Sequence, residues 1–195
     1  MKKTVLTFGL ISGAVISALM LATVPFMHQL SLNRSMVVGY TTMVLAFLLV
    51  FFGIRSYREN IGHGRISFRR AMGVGLLIML IGSACYVITW EFVYFNFMPD
   101  FAEKYSAFML EDMRAKGASP AELAQAADKM KEFQVRYSTD IFYNVGMTLL
   151  EPLPVGFIMT LISALILRSR RKDLHEGQDA VKENPVNPVN RVNPV

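Results

Sequence analysis

Residues Met36–Ile54 read MVVGYTTMVLAFLLVFFGI, and from Met43 to Phe52 no side chain is polar. A predominantly apolar run of about 20 residues is what a helix needs to cross a hydrocarbon core of about 30 Å. Backbone groups in lipid must be satisfied within the segment, so the run is expected to be helical. Arg55-Ser56-Tyr57-Arg58 follows at once, a basic flank of the kind that holds a span in register with the membrane surface.

Three further blocks share this character: Val5–Met27, Ala71–Phe95 and a fourth within Ile141–Leu167. The expected spans are about 5–27, 36–54, 71–95 and 146–167. The chain of 195 residues is 53% hydrophobic and 18% charged, more apolar and less charged than soluble domains usually are. The first block, of about 23 residues, exceeds the 7–15 residues of a signal-peptide core, and no small-x-small cleavage site follows it. It is therefore expected to stay as a span.

Lys and Arg set the expected orientation. Lys2 and Lys3 precede the first span. Arg55, Arg58, Arg65, Arg69 and Arg70 lie between the second and third, and Arg168, Arg170, Arg171 and Lys172 follow the fourth. The three clusters fall on one side of a four-span chain, which assigns them, with both termini, to the cytoplasm. The net charge of +5 is thereby explained by membrane anchoring. No basic patch with interleaved aromatics suggests nucleic acid.

The segment between the third and fourth spans is more than a connector. Phe101, Tyr105, Phe108, Met109 and Met113 recur by threes and fours on one helical face. Gly117 fits a helix end. Ser119, Pro120 and Glu122 fit a cap, a first helical position and a capping box. Leu123, Met130, Phe133 and Tyr137 then form a second stripe. These features predict an extracytoplasmic helical hairpin at about 99–138, either an extension of the spans or a binding surface. Residues 173–195 end in Asn184-Pro-Val-Asn-Pro-Val-Asn-Arg-Val-Asn-Pro-Val195, too poor in apolar surface to fold, and are expected to form a disordered cytoplasmic tail. The expected fold is all-α: a polytopic membrane protein with a four-helix transmembrane bundle over residues 1–172, this hairpin and the tail.

Gly9, Gly13, Gly75, Gly82 and Gly156 give three spans small surfaces. Small residues let helices approach closely in lipid, which serves packing within the chain or a homo-oligomer. The lone Cys85 excludes an intrachain disulfide and a cysteine metal site. His28, His63 and His175 fall in separate loops, on both sides of the membrane, so no metal site is expected. No G-x-S-x-G, H-E-x-x-H or phosphate-cradling glycine loop occurs. No cofactor and no catalytic residue is expected.

Glu91 and Glu151 are the acidic residues inside the apolar blocks, and intramembrane carboxylates are functional candidates. At 1.5 Å per residue, Glu91 lies about 30 Å from the cytoplasmic end of its span and Glu151 about 24 Å from that of its own. Both therefore approach the outer boundary, at the level expected for Arg34, which makes Glu91–Arg34 a candidate pair. Trp90 and Tyr94 read as interface aromatics. Pro152 and Pro154 remove backbone donors, predicting a kink beside Glu151 or a helix beginning at Pro152. The candidate polar site is Glu91, Glu151 and Arg34.

Several landmarks resemble a known family. They are Gly39-Tyr40, Phe52-Gly53-Ile54-Arg55-Ser56-Tyr57-Arg58, Ile66-Ser67-Phe68, Trp90-Glu91, Pro99-Asp100-Phe101, Leu150-Glu151-Pro152 and Val155-Gly156. In order and spacing they resemble domain of unknown function 4199, over Met1 to about Lys172. The resemblance implies a bacterial four-span inner-membrane protein and carries no catalytic residues. Two functions stand as expectations. One is a non-enzymatic accessory or scaffold protein that binds an extracytoplasmic protein partner through the hairpin. The other is a small oligomeric transporter or channel subunit using Glu91 and Glu151. Membrane lipids are the surrounding partners in either case.

Overall fold

The structure is a computed structural model and describes residues 2–27 and 32–169. The tail expected at 173–195, and with it His175, lies outside the described residues, as does His28. Seven helices run in order: α1 Lys2–Met27, α2 Leu32–Asn60, α3 Phe68–Phe97, α4 Phe101–Ala115, α5 Pro120–Thr139, α6 Ile141–Leu150 and α7 Pro152–Leu167. Among the described residues, four stretches are long and apolar enough to cross a membrane: Lys2–Phe26, Arg34–Asn60, Phe68–Phe97 and Ile141–Leu167. The protein is all-α and polytopic.

The helices overrun the apolar blocks because hydrophobicity marks the lipid slab, while backbone geometry marks the helix end. At the end of α2 the charged turn Arg55–Asn60 stays helical, with Arg55 Nε donating to Glu59 Oε1 at 2.9 Å. The helix stops where His63 and Gly64 take left-handed φ values of 48° and 82°, a conformation that glycine adopts without strain. Ile66 then tucks inward. Its N–H donates to Ser169 Oγ at 3.0 Å, and the Ser169 N–H returns to the Ile66 carbonyl at 2.9 Å. The α2–α3 turn is thus tied to the end of α7.

α3 lies centrally, against α1, α2, α6 and α7. Half of its most apolar window is buried inside the protein, against 28–33% for the other spans. Small residues explain the close approach. A Cβ on Gly9 would come within 2.8 Å of Ile81 Cβ, one on Gly75 within 2.6 Å of Thr160 Cγ2, and one on Gly156 within 2.9 Å of Met79 Sδ. A Cβ on Gly13 would collide with Cys85, and one on Gly82 would press Ser12 Oγ at 3.2 Å. All five glycines are therefore occupied by contacts within the chain. Hydroxyls reinforce the seam. Ser12 Oγ donates to the Ala46 carbonyl at 3.0 Å, and Ser17 Oγ meets Thr89 Oγ1 at 2.7 Å. Thr89 already donates to the Cys85 carbonyl, so Ser17 is the donor.

The outward faces are apolar. Ile88 is 70% exposed and Ile166 65%, with Leu10 and Phe92 also outward. Apolar exposure on this scale belongs to a protein whose solvent is hydrocarbon.

The hairpin is built as its local chemistry dictates. Gly117 takes φ 84°, and Ser119 and Glu122 complete the capping box, with Pro120 in the first turn of α5. The Ser119 bonds hold the Glu122 carboxyl below the usual carboxylate range. Burial in the hairpin falls with distance from the spans: Ala102, Ser106 and Tyr137, all near the base, are the fully buried residues of α4 and α5. Asp140 joins α5 to α6, its carboxylate accepting from the Phe142 and Tyr143 N–H groups.

The fourth span is two helices. α6 ends at Leu150 and α7 starts at Pro152. Pro152 has no N–H for the Thr148 carbonyl, which takes the Glu151 N–H at 3.3 Å instead. Pro154 has none for the Leu150 carbonyl. The expectation of a helix beginning at Pro152 describes this break.

Candidate functional site

Aromatic residues four apart in sequence share a helix face. Tyr86, Trp90 and Tyr94 do so on α3, Phe101 and Tyr105 on α4, Phe133 and Tyr137 on α5. The three stripes meet at the hairpin base. Trp90 lies edge-on to Phe101 with ring centroids 4.8 Å apart, Tyr94 edge-on to Tyr137 at 5.3 Å, and Phe133 near Tyr137 at 5.1 Å. Such pairs contribute about 0.5–1.5 kcal/mol each beyond their burial.

A hydrogen-bond chain runs through the cluster. Trp90 Nε1 donates to Tyr137 Oη at 2.8 Å. Thr148 Oγ1 donates to Asn144 Oδ1 at 3.4 Å. A hydroxyl has a single proton, so Tyr137 is the donor across its 3.2 Å contact with Thr148. The Asn144 amide then donates to the Tyr137 carbonyl at 3.1 Å, closing the circuit from α3 through α5 to α6. Burial pushes the Tyr137 phenol above its usual range, so it stays a proton donor.

Beside this cluster lies a cavity of about 1040 Å³, at the top of the range for small-molecule sites. Its walls come from α1 (Ile16, Met20), the first turns of α2 (Ser35 to Met43), α3 (Tyr86, Trp90), the inner face of α4 and the α6–α7 break. Glu151 is exposed within it. Tyr86 Oη donates to Glu151 Oε2 at 2.6 Å, a short O–H···O bond. Among the described residues, no other side chain donates to Glu151.

The structure separates the three residues the sequence grouped. Glu151 lines the cavity. Glu91 does not, since successive residues turn by about 100° and Trp90 takes the inward direction. Both Glu91 carboxylate oxygens are buried without a hydrogen-bond partner. Arg34 is exposed at the start of α2 and makes no ion pair with Glu91 among the described residues. A shared level in the membrane fixes height but not azimuth, so it does not by itself make a pair. Tyr86, Tyr137, Asn144 and Thr148 were missed as site residues. The spacing of Asn144 and Thr148, two polar residues one turn apart in an apolar run, was the available signal. No group of three or more His, Cys, Asp or Glu side chains placed to hold a metal occurs among the described residues.

Fold and site together define an all-α polytopic membrane protein with an aromatic-walled cavity at one end. The chain belongs to the family described as "Protein of unknown function (DUF4199)", matched over residues 7–169. No curated protein and no solved structure matches it.

Proposed function

We propose that the chain is a non-enzymatic accessory protein of the bacterial inner membrane that binds its partner under the helical hairpin. Both termini face the cytoplasm in this reading, and the hairpin lies on the extracytoplasmic side. The three Lys and Arg clusters support that orientation. The observation that carries the binding role is the cavity of about 1040 Å³ between α4 and the first turns of α2. The apolar face of α4 is turned onto that cavity through Phe101, Tyr105 and Phe108. The hairpin therefore binds as a wall closing over an apolar molecule rather than as a free docking face.

Gly39 gives the test. It lines the cavity, and a Cβ there meets nothing within 4 Å, so the side chain of Gly39→Trp starts into open space and is chosen to fill the cavity. Mass spectrometry of the gently extracted wild type is expected to find a bound small molecule or lipid that Gly39→Trp has lost. An identical set of bound molecules in the two proteins counts against the reading.

The interruption of the fourth span favours a second reading, a small oligomeric transporter or channel subunit. Broken helices recur at ion and substrate sites of transporters and intramembrane carboxylates mark ion pathways, and Glu151 occupies such a break. Flux in proteoliposomes that is unchanged by Glu151→Gln and Glu91→Gln would exclude a role for these carboxylates.

A further inference from the structure

The walls of the cavity specify the chemistry of what fills it. Eight aromatic side chains contribute, among them Tyr40, Tyr86, Trp90, Phe101 and Tyr105. Among the described residues the charged groups on the lining are Lys104, Glu111, Asp112 and Glu151. Three carboxylates thus stand against one ammonium, in a chain whose net charge is +5. The lone ammonium is already engaged, with Lys104 Nζ 2.6 Å from Asp100 Oδ2, and Asp112 is likewise engaged by the Lys116 ammonium. Glu151 differs from the two carboxylates on α4 because it sits at the floor, in the interrupted span. Its Oε2 is held by Tyr86, and both residues line the cavity. A bare metal ion is a poor match, since hard cations take six or more oxygen ligands and one carboxylate among aromatic rings offers few. An anion would meet Glu111 and Glu151, which make no ion pair among the described residues. Aromatic faces and a fixed carboxylate together suit a cation carried on an apolar body.

We infer that the cavity is a binding site for amphipathic organic cations, with the cationic centre against Glu151 and the apolar body against the aromatic wall. This rests on the reading of the cavity as a binding site and adds the charge of its ligand. Trp90 lines the cavity and is the chain's single tryptophan, so intrinsic fluorescence reports on this site alone.

The test uses the full chain in phospholipid nanodiscs and two ions of nearly the same shape and opposite charge, tetraphenylphosphonium and tetraphenylborate. Tetraphenylphosphonium is expected to change Trp90 emission saturably. Glu151→Gln is expected to raise its Kd about tenfold or more, the factor a hydrogen-bonded or paired charge contributes, and Glu151→Asp to restore most of the affinity. Tetraphenylborate is expected to bind the wild type at least about tenfold more weakly. Equal affinity for the two ions, or a tetraphenylphosphonium Kd unmoved by Glu151→Gln, overturns the inference. If both ions then still saturate and Gly39→Leu, which fills the space without adding a second tryptophan, abolishes both, the cavity remains a binding site without charge selection. If neither ion saturates in the wild type, the binding reading falls with the inference. Should Glu151→Gln fail to assemble, Gly39→Leu decides from the opposite wall: undiminished tetraphenylphosphonium binding there overturns the proposal.

Discussion

The two ends of the molecule solve the packing problem in different ways. Toward the arginine-rich turn, helices touch through glycine and small hydroxyl residues. Gly9, Gly13, Gly75 and Gly156 have no room for a Cβ, and Thr160 and Ser163 are buried beside them in α7. Toward the hairpin, large aromatic rings and a polar circuit replace that seam. Gly39 there faces open space, and α2 reaches α4 only across a cavity. Close backbone approach leaves no volume for a ligand. Rings held apart by α4 and by the break at Glu151 leave a great deal. The comparison locates stability at one end and recognition at the other.

The sharpest way to break this comparison is a pair of glycine variants. Gly13→Leu is expected to cost about 3 kcal/mol or more through overpacking against Cys85, seen as a fall in unfolding temperature in mild detergent. Gly39→Trp is expected to stay within about 0.5 kcal/mol of wild type, as substitutions away from packed contacts usually do. Equal losses would erase the distinction between the ends. Next in size is Tyr137→Phe, which leaves the Trp90 N–H buried without its acceptor at a cost of about 2 kcal/mol. A shifted Trp90 emission maximum should accompany it, and an unchanged spectrum would show that the circuit does not exist in solution. Ser169→Ala removes the acceptor for the Ile66 N–H, an expected loss of about 1 kcal/mol with Trp90 fluorescence unaltered, because it acts at the far end.

The smallest effect is at the hairpin tip. Glu122 is held below the usual carboxylate range by its bonds to Ser119. A carboxyl whose folded value is depressed adds stability above its unfolded value and loses it as the pH falls through the folded one. Proteolysis near Gly117 should therefore quicken as acidification passes below the ordinary carboxylate range, and Ser119→Ala should quicken it at neutral pH. A cleavage rate independent of both would deny the capping box a role.

Legibility in the sequence follows the range of the interactions. Ser119-Pro120 with Glu122 is a local signal, complete within four residues, and the capping box forms there. Pro152 likewise marks the break in the fourth span by removing a donor. The small residues were visible as stripes, yet a stripe does not name its neighbour. That Gly13 receives Cys85 and Gly156 receives Met79 depends on which helices lie side by side. The site was less legible still. Glu151 stands out as a carboxylate in an apolar block, but its Tyr86 donor is 65 residues away. The cavity exists only through the separation of helices distant in sequence. Trp90 and Tyr94 invited a membrane-interface reading because that role and a buried aromatic cluster use the same residue types.

The contrast between a packed and an open end is tested most directly within one molecule, by comparing native Cys85 with a cysteine introduced by Gly39→Cys. Cys85 is the chain's single cysteine and lies against Gly13 in the α1–α3 seam, whereas position 39 opens on the cavity. A bulky, water-soluble maleimide applied to the protein in nanodiscs, with labelled peptides counted by mass spectrometry, should modify position 39 and spare Cys85. Equal labelling of the two, or modification of Cys85 alone, would contradict the account.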